Sequence, residues 1–280
     1  MKVRRKNVGI VLVGQLRTFL KCKNNFYKYL VNCNRKDYNI YIFFVTYRKD
    51  HEELETKLID LPNVKDVCLI EKNFKFDPSN EFMKDLNINS IFYEKKLKRF
   101  IYTRVQWIFA KKLIEKFRSK VKLDYILLSR PDIMYYDYFS ISKIEKNLKN
   151  NFFIPNEKFI HVDKYLNGVE KRSIKRTYTS REIKNFIKNE MQYFNDTIII
   201  SGRKNMLDLC SLMENTNKII NLWIRYYKSI NFTRLKPEAI INFYILEYCK
   251  IKIEKFFVEA STYRNKNLSI EMKNKIRKNS

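Results

Sequence analysis

The sequence predicts an α/β protein: one Rossmann-like domain with a central mixed, mostly parallel sheet flanked by helices. Three observations predict it. The first seventy residues read strand, helix, strand, helix, strand. Their apolar runs are continuous rather than alternating, as strands buried on both faces require. A long amphipathic helix then separates the third run from a fourth, the spacing of a crossover connection.

The first run, Val8–Val13, is interrupted only by Gly9 and ends in Gly14-Gln15-Leu16-Arg17-Thr18-Phe19. A helix is expected from about Thr18 to Val31, with Phe19, Phe26, Tyr29 and Leu30 on one side. Tyr38–Tyr47 is the second strand. His51–Ile59 reads as a helix, with Leu54 and Leu58 one turn apart. Val64–Ile70 is the third strand. Residues 73–95 are polar and hold the turn signal Asp77-Pro78-Ser79-Asn80, so they read as a loop with short helical pieces.

From about Glu94 to Lys120 the period is helical, and Phe100, Val105, Ile108, Leu113 and Phe117 mark the buried side. Asp124–Ser129 is the fourth strand, stopped by Pro131, which cannot donate to a ladder. Phe152–Pro155 is a short strand. Residues 157–190 are charged, with few apolar anchors, and read as a loop or lid. Thr197–Ser201 is another buried strand. Helices follow at about Lys204–Glu214 and Pro237–Cys249, with Pro237 suited to a first turn. Ile251–Val258 is the last strand, and the tail from Asn265 is basic. No repeat or linker divides the chain, so residues 1–280 form one domain, with a nucleotide-binding half at about 7–135.

Composition excludes several classes. With 45% hydrophobic residues, 21 Phe and 19 Tyr, the 280-residue chain has material for a core and is not a disordered tail. Only 4 Gly and 5 Pro argue against collagen-like and turn-dense β architectures. The net charge of +27 suits nucleic acid, an anionic membrane or a phosphorylated ligand. The charges are spread along the chain, however, as when AT-rich coding fills solvated surface with Lys. Cys22, Cys33, Cys68, Cys210 and Cys249 form no CxxC pair, so they read as core residues of a reducing compartment, not zinc ligands. The apolar stretch near the amino terminus is too short for a signal peptide or a membrane span. A cytoplasmic protein is expected.

Three segments can carry chemistry. Gly14, Gln15, Arg17 and Thr18 follow the first strand, where a close backbone approach, a helix start and a guanidinium would favour a diphosphate. An ordinary strand-to-helix turn accounts for them equally well. Arg130 and Asp132, in Ser129-Arg130-Pro131-Asp132, follow the fourth strand. Asp132 could ligate a divalent cation bridging two phosphates, or close the strand end as a structural pair with Arg130. Asp196 precedes a later strand and could be a general base, a second metal ligand or a turn residue. Glu238 competes for the base role, although an acid there also favours the helix dipole. There is no GxxxxGK[ST] or GxGxxG, which argues against P-loop and dinucleotide enzymes.

Taken in order, VGIVLVGQLRTF, YNIYIFFVTY, DYILLSRPDIMYY, FFIPN, FNDTIIISGRKNM and KPEAIINFYIL resemble glycosyltransferases of large DNA viruses and bacterial polysaccharide loci. The resemblance spans about residues 7–264. It implies a GT-A-type fold that moves a sugar from a nucleotide diphosphate, a UDP-sugar above all, with a pentose such as xylose among the candidates. The acceptor would be a hydroxyl of a glycan, a glycoprotein or a lipid-linked molecule, the last bringing peripheral membrane contact. Gly14, Gln15, Arg17 and Thr18 would line the nucleotide site, with Arg130 and Asp132 at the diphosphate or its manganese or magnesium ion. Asp196 and Glu238 would lie near sugar and acceptor, in an acceptor half at about 150–264. One carboxylate stands where Asp-x-Asp offers two, which puts the metal in question. The competing readings are a basic nucleic-acid-binding protein and an inactive relative that binds a sugar nucleotide.

Overall fold

The computed structural model describes residues 4–16, 19–48, 58–71, 91–155, 197–215, 218–219, 241, 243–256, 258 and 260–262. Within them the apolar runs form β1 (Lys6–Val13), β2 (Tyr38–Tyr47), β3 (Val64–Ile70), β4 (Tyr125–Ser129), β5 (Ile133–Tyr135), β6 (Phe152–Pro155), β7 (Ile198–Gly202), β8 (Ile253–Phe256) and β9 (Ala260–Thr262). The α-helices of eight residues or more among them are α1 (Phe19–Phe26), α2 (Ile91–Phe117) and α3 (Arg203–Cys210). The protein is α/β, with one seven-stranded mixed sheet in the order β3-β2-β1-β4-β7-β6-β8 and a two-stranded sheet of β5 and β9.

Within the large sheet β1 pairs in parallel with both β2 and β4, and β3 joins β2 in parallel. β7 alone runs the other way, antiparallel to β4 and β6, while β8 lies parallel to β6. All parallel strands therefore end at one side of the sheet, the carboxyl edge, and begin at the other, the amino edge.

The continuous apolar runs have a physical cause. Val11 and Val13 of β1 pack with Phe43, Leu113 and Phe117 on one face. Val8, Ile10 and Leu12, pointing the other way, pack with Phe19, Leu30 and Phe44 on the second. Because both faces are covered, each successive residue is buried, at about 1.5–3 kcal/mol per large aliphatic side chain. Phe117 closes α2 onto the sheet, its ring 4.9 Å from that of Phe43 and 5.6 Å from that of Tyr41. Trp107, farther back on the same helix, is buried under the Arg104 guanidinium at 4.6 Å.

Several expectations change. The helix expected over 18–31 starts at Phe19 and widens into a π-helical turn at Tyr27–Asn32. α2 begins at Ile91, ahead of the expected Glu94. β7 is antiparallel, an orientation that a buried apolar run does not encode. The sheet of β5 and β9 went unforeseen, since strands of three residues are too short to show a period. The expected helix at His51–Ile59 lies mostly outside the described residues, as does residues 157–190. Among the described residues no helix is long and apolar enough to cross a membrane, and all five cysteines are free.

At the amino edge, polar groups lock strand starts together. The Lys6 ammonium lies 2.5 Å from Glu145 Oε1 and donates to the Tyr125 hydroxyl at 2.9 Å. Tyr38 donates to Glu145 Oε2 at 2.6 Å. The Asn7 amide donates to Asp124 at 2.8 Å, and its side chain bridges Lys122 O and Asn39, each at 2.9 Å. The hydrogen bond from Lys6 to Glu145 holds the ammonium pKa above its ordinary value. Burial would raise the Glu145 carboxyl, but the bonds from Lys6 and Tyr38 outweigh it and hold the pKa low.

Candidate functional site

The carboxyl edge is built differently. The chain leaves β1 at Gly14, whose φ of +139° is a conformation side chains rarely adopt. Its N–H donates to Val45 O at 3.0 Å, tying the exit to β2. A Cβ on Gly14 would stand 3.3 Å from Pro131 Cδ, so the exits of β1 and β4 touch. Beyond it Gln15 is exposed, Leu16 is buried, and the Leu16 carbonyl accepts the Phe19 N–H at 2.8 Å to start α1.

β4 leaves through Ser129 and Arg130. The Arg130 N–H donates to Thr197 O at 3.1 Å, fastening this exit to the start of β7. The Arg130 side chain donates from Nε to Asp132 Oδ1 at 2.8 Å and from Nη2 to Oδ2 at 2.6 Å. This fork fixes the plane of the guanidinium as well as its position. Arg130 stays 42% exposed and Asp132 16%, so the guanidinium faces solvent while its carboxylate backs it. Cys22, in the first turns of α1, lies near the same carboxylate. Burial, reinforced by the Asp132 charge, pushes its thiol up to about 12, so it stays protonated and acts as a small core residue.

Two asparagines hold the segment after Asp132 against the first helix. Asn25 accepts the Tyr135 N–H at 2.6 Å and donates to the Tyr135 carbonyl at 2.7 Å. Asn34 accepts the Ile141 N–H at 2.9 Å and donates to Phe139 O at 2.6 Å. Sequence reasoning missed both. The available signal was a poor helix former among apolar positions, which suggests a side chain employed on another segment. Among the described residues the buried Tyr135 hydroxyl, by contrast, meets no partner in good hydrogen-bond geometry; burial raises its pKa, and the Ser129 side chain offsets this only in part.

Of the residues singled out from sequence, Gly14, Gln15, Arg130 and Asp132 come together at the adjoining exits of β1 and β4. Arg17, Thr18, Asp196 and Glu238 lie outside the described residues. The neighbour of Asp196, Thr197, is buried and bonded to Arg130. Among the described residues no group of three or more His, Cys, Asp or Glu is placed to hold a metal ion. Asp132 has both oxygens engaged by Arg130, which leaves a cation only their second lone pairs, beside a positive guanidinium. The described residues on their own do not fit a divalent-cation centre.

The chain matches no protein-family model and no curated protein.

Proposed function

We propose that this protein is a GT-A-type glycosyltransferase that binds a nucleotide-diphosphate sugar at the carboxyl ends of β1 and β4. The observation that carries the reading is the contact of Gly14 with Pro131, which sets the Gly14 turn beside the Arg130–Asp132 fork. This junction is a topological switch point: the chain runs from β1 outward to β2 and β3, then returns to place β4 on the other side of β1. Nucleotides bind in that crevice in open α/β sheets. The resemblance of the GQLRTF, RPD, NDT and PE segments to viral and bacterial glycosyltransferases supplies the reaction class.

Transfer breaks the bond between the anomeric carbon and the diphosphate, and forms one to an acceptor hydroxyl. The leaving nucleotide diphosphate gains negative charge, which a pre-oriented guanidinium stabilises. Arg130 takes that role, with phosphate oxygens replacing Asp132 as its partner. Gly14 lets the backbone approach the nucleotide, and Gln15 offers polar contacts beside it. The acceptor proton passes to a carboxylate, assigned to Asp196 with Glu238 as the alternative. The favoured donor is a UDP-sugar, a pentose such as xylose among them, and the acceptor a glycan, glycoprotein or lipid-linked hydroxyl.

Thermal shift against UDP, GDP, CMP and their sugars, with and without manganese or magnesium, tests this. A ligand at a hundred times its Kd stabilises the fold by about 2.7 kcal/mol. Stabilisation by one nucleotide family is expected. Binding that requires metal would assign Asp132 to the ion, and binding without it would leave the diphosphate to Arg130. Nucleotide binding with no sugar transfer to any acceptor would mark an inactive relative. A shift with DNA or RNA and none with nucleotides would overturn the proposal.

A further inference from the structure

The amino edge carries a second feature that the donor site does not use. Five adjacent strands, β2-β1-β4-β7-β6, each bring an exposed cation to it. Arg5 precedes β1, Lys36 precedes β2, Lys122 precedes β4, Lys149 precedes β6 and Lys204 follows the reversed β7. At the usual strand spacing this row spans about 19 Å. Three acids at the same edge are engaged internally. Asp124 accepts the Asn7 amide, Glu145 is held by Lys6 and Tyr38, and Glu254 is held by Lys252 and Asn151. Exposed Asp37 sits next to Lys36 and offsets one of the cations, but among the described residues the row stays net positive.

We infer that the amino edge is a docking face for an anionic lipid surface, and that the protein sits on acidic membranes with its donor site pointing away. The cations come from five separate strand ends rather than from one helix or groove, which suits a plane of headgroups. Among the described residues Tyr38 and Tyr125, at the strand starts, are buried in the Glu145 network, and the exposed ring nearest this edge in the fold is the single Tyr138, which offers bases no stacking platform. The exposed large apolar side chains among the described residues are Leu20, Ile59 and Tyr138, too scattered to insert as a patch. Contact is therefore electrostatic and reversible. β1, 8 residues long, separates the two edges by about 26 Å, so an acceptor must reach that far above the bilayer.

The orientation of the donor site rests on the proposed function; the docking face itself does not, and its test reads binding alone. The full chain is sedimented with vesicles of phosphatidylcholine containing about a third phosphatidylserine, and with pure phosphatidylcholine vesicles, in 0.1 M salt. A fourfold variant, Arg5→Gln, Lys36→Gln, Lys122→Gln and Lys149→Gln, is compared with one carrying Lys23→Gln, Lys28→Gln, Lys112→Gln and Lys218→Gln. Each cation near an acidic surface contributes about fivefold to partitioning, so the edge variant is expected to bind at least about 100-fold more weakly. The second variant is expected to lose less than about tenfold, with both keeping the parent melting temperature within a few degrees. Equal losses in the two variants would show that charge acts without regard to face, and would overturn the inference. So would absence of binding to acidic vesicles, or an edge-dependent affinity for duplex or single-stranded nucleic acid that exceeds vesicle binding. Should the edge variant fail to fold, the single changes Arg5→Gln and Lys36→Gln, each expected to lose about fivefold, replace it.

Discussion

The two edges of the one sheet use polar residues to opposite ends. At the amino edge Lys6, Tyr38, Tyr125 and Glu145 satisfy one another, and Asn7 ties β1 to Lys122, Asp124 and Asn39. At the carboxyl edge a glycine is held at positive φ against a proline, a guanidinium is braced yet half exposed, and the buried Tyr135 hydroxyl meets no well-formed hydrogen bond among the described residues. A closed network lowers the energy of the fold. An edge with an open backbone approach and polar capacity to spare is what a ligand can use.

The largest effect that would break this contrast is at Arg130. Arg130→Ala is expected to weaken nucleotide-diphosphate binding about 100-fold, the scale of a lost bidentate charge contact, with a smaller loss of stability because Asp132, 16% exposed, is left without its partner. Calorimetric titration with the nucleotide identified by thermal shift checks it. Arg130→Lys should fail to restore affinity, since an ammonium cannot reproduce the fork. Unchanged affinity would place the diphosphate elsewhere.

Next comes Gly14→Ala, which meets both an unfavourable φ and Pro131 at 3.3 Å. It should cost about 1–3 kcal/mol in denaturant unfolding and weaken nucleotide binding as well. Glu145→Gln, at the opposite edge, should cost about 1 kcal/mol, a modest figure because Lys6 is 48% exposed and solvent screens the pair. Nucleotide affinity should not change, and a change would end the functional separation of the two edges. Tyr135→Phe removes a buried hydroxyl that meets no well-formed hydrogen bond among the described residues and should be neutral or stabilising by up to about 1 kcal/mol, read by the same unfolding curve.

The pH dependence of stability is the smallest and sharpest of these tests. The Glu145 pKa is lowered in the fold, so its contribution is complete above the ordinary carboxyl value of about 4.3 and fades as pH falls through the folded value. Burial, and then the bond to Glu145, raises the Tyr38 pKa, while bonds to Glu145 and Tyr125 raise that of Lys6. Those contributions are complete below about pH 10 and fade as pH rises through the folded values. Glu145→Gln should flatten both limbs of a plot of unfolding free energy against pH.

The long elements were legible in the sequence because burial on both faces leaves a local signature. Tyr38–Tyr47, Val64–Ile70 and Phe152–Pro155 emerge with the boundaries that their apolar runs imply. The placement of Gly14 and of Ser129-Arg130-Pro131-Asp132 after strands was also readable, as was the option of a structural pair between Arg130 and Asp132. Asn25 and Asn34 were not, because their partners lie over a hundred residues away and the local mark, a poor helix former among apolar positions, does not say which segment they hold.

By itself the sequence determined the strand and long-helix segments, through side-chain periodicity and β-branching, which act over a few neighbouring residues. Only the tertiary structure decided the reversed direction of β7, the pairing of β5 with β9, the contact of Gly14 with Pro131 and the row of cations along one edge. Those features depend on which strand lies beside which. That choice is settled by covering both faces of the whole sheet at once, so no single stretch of sequence contains it.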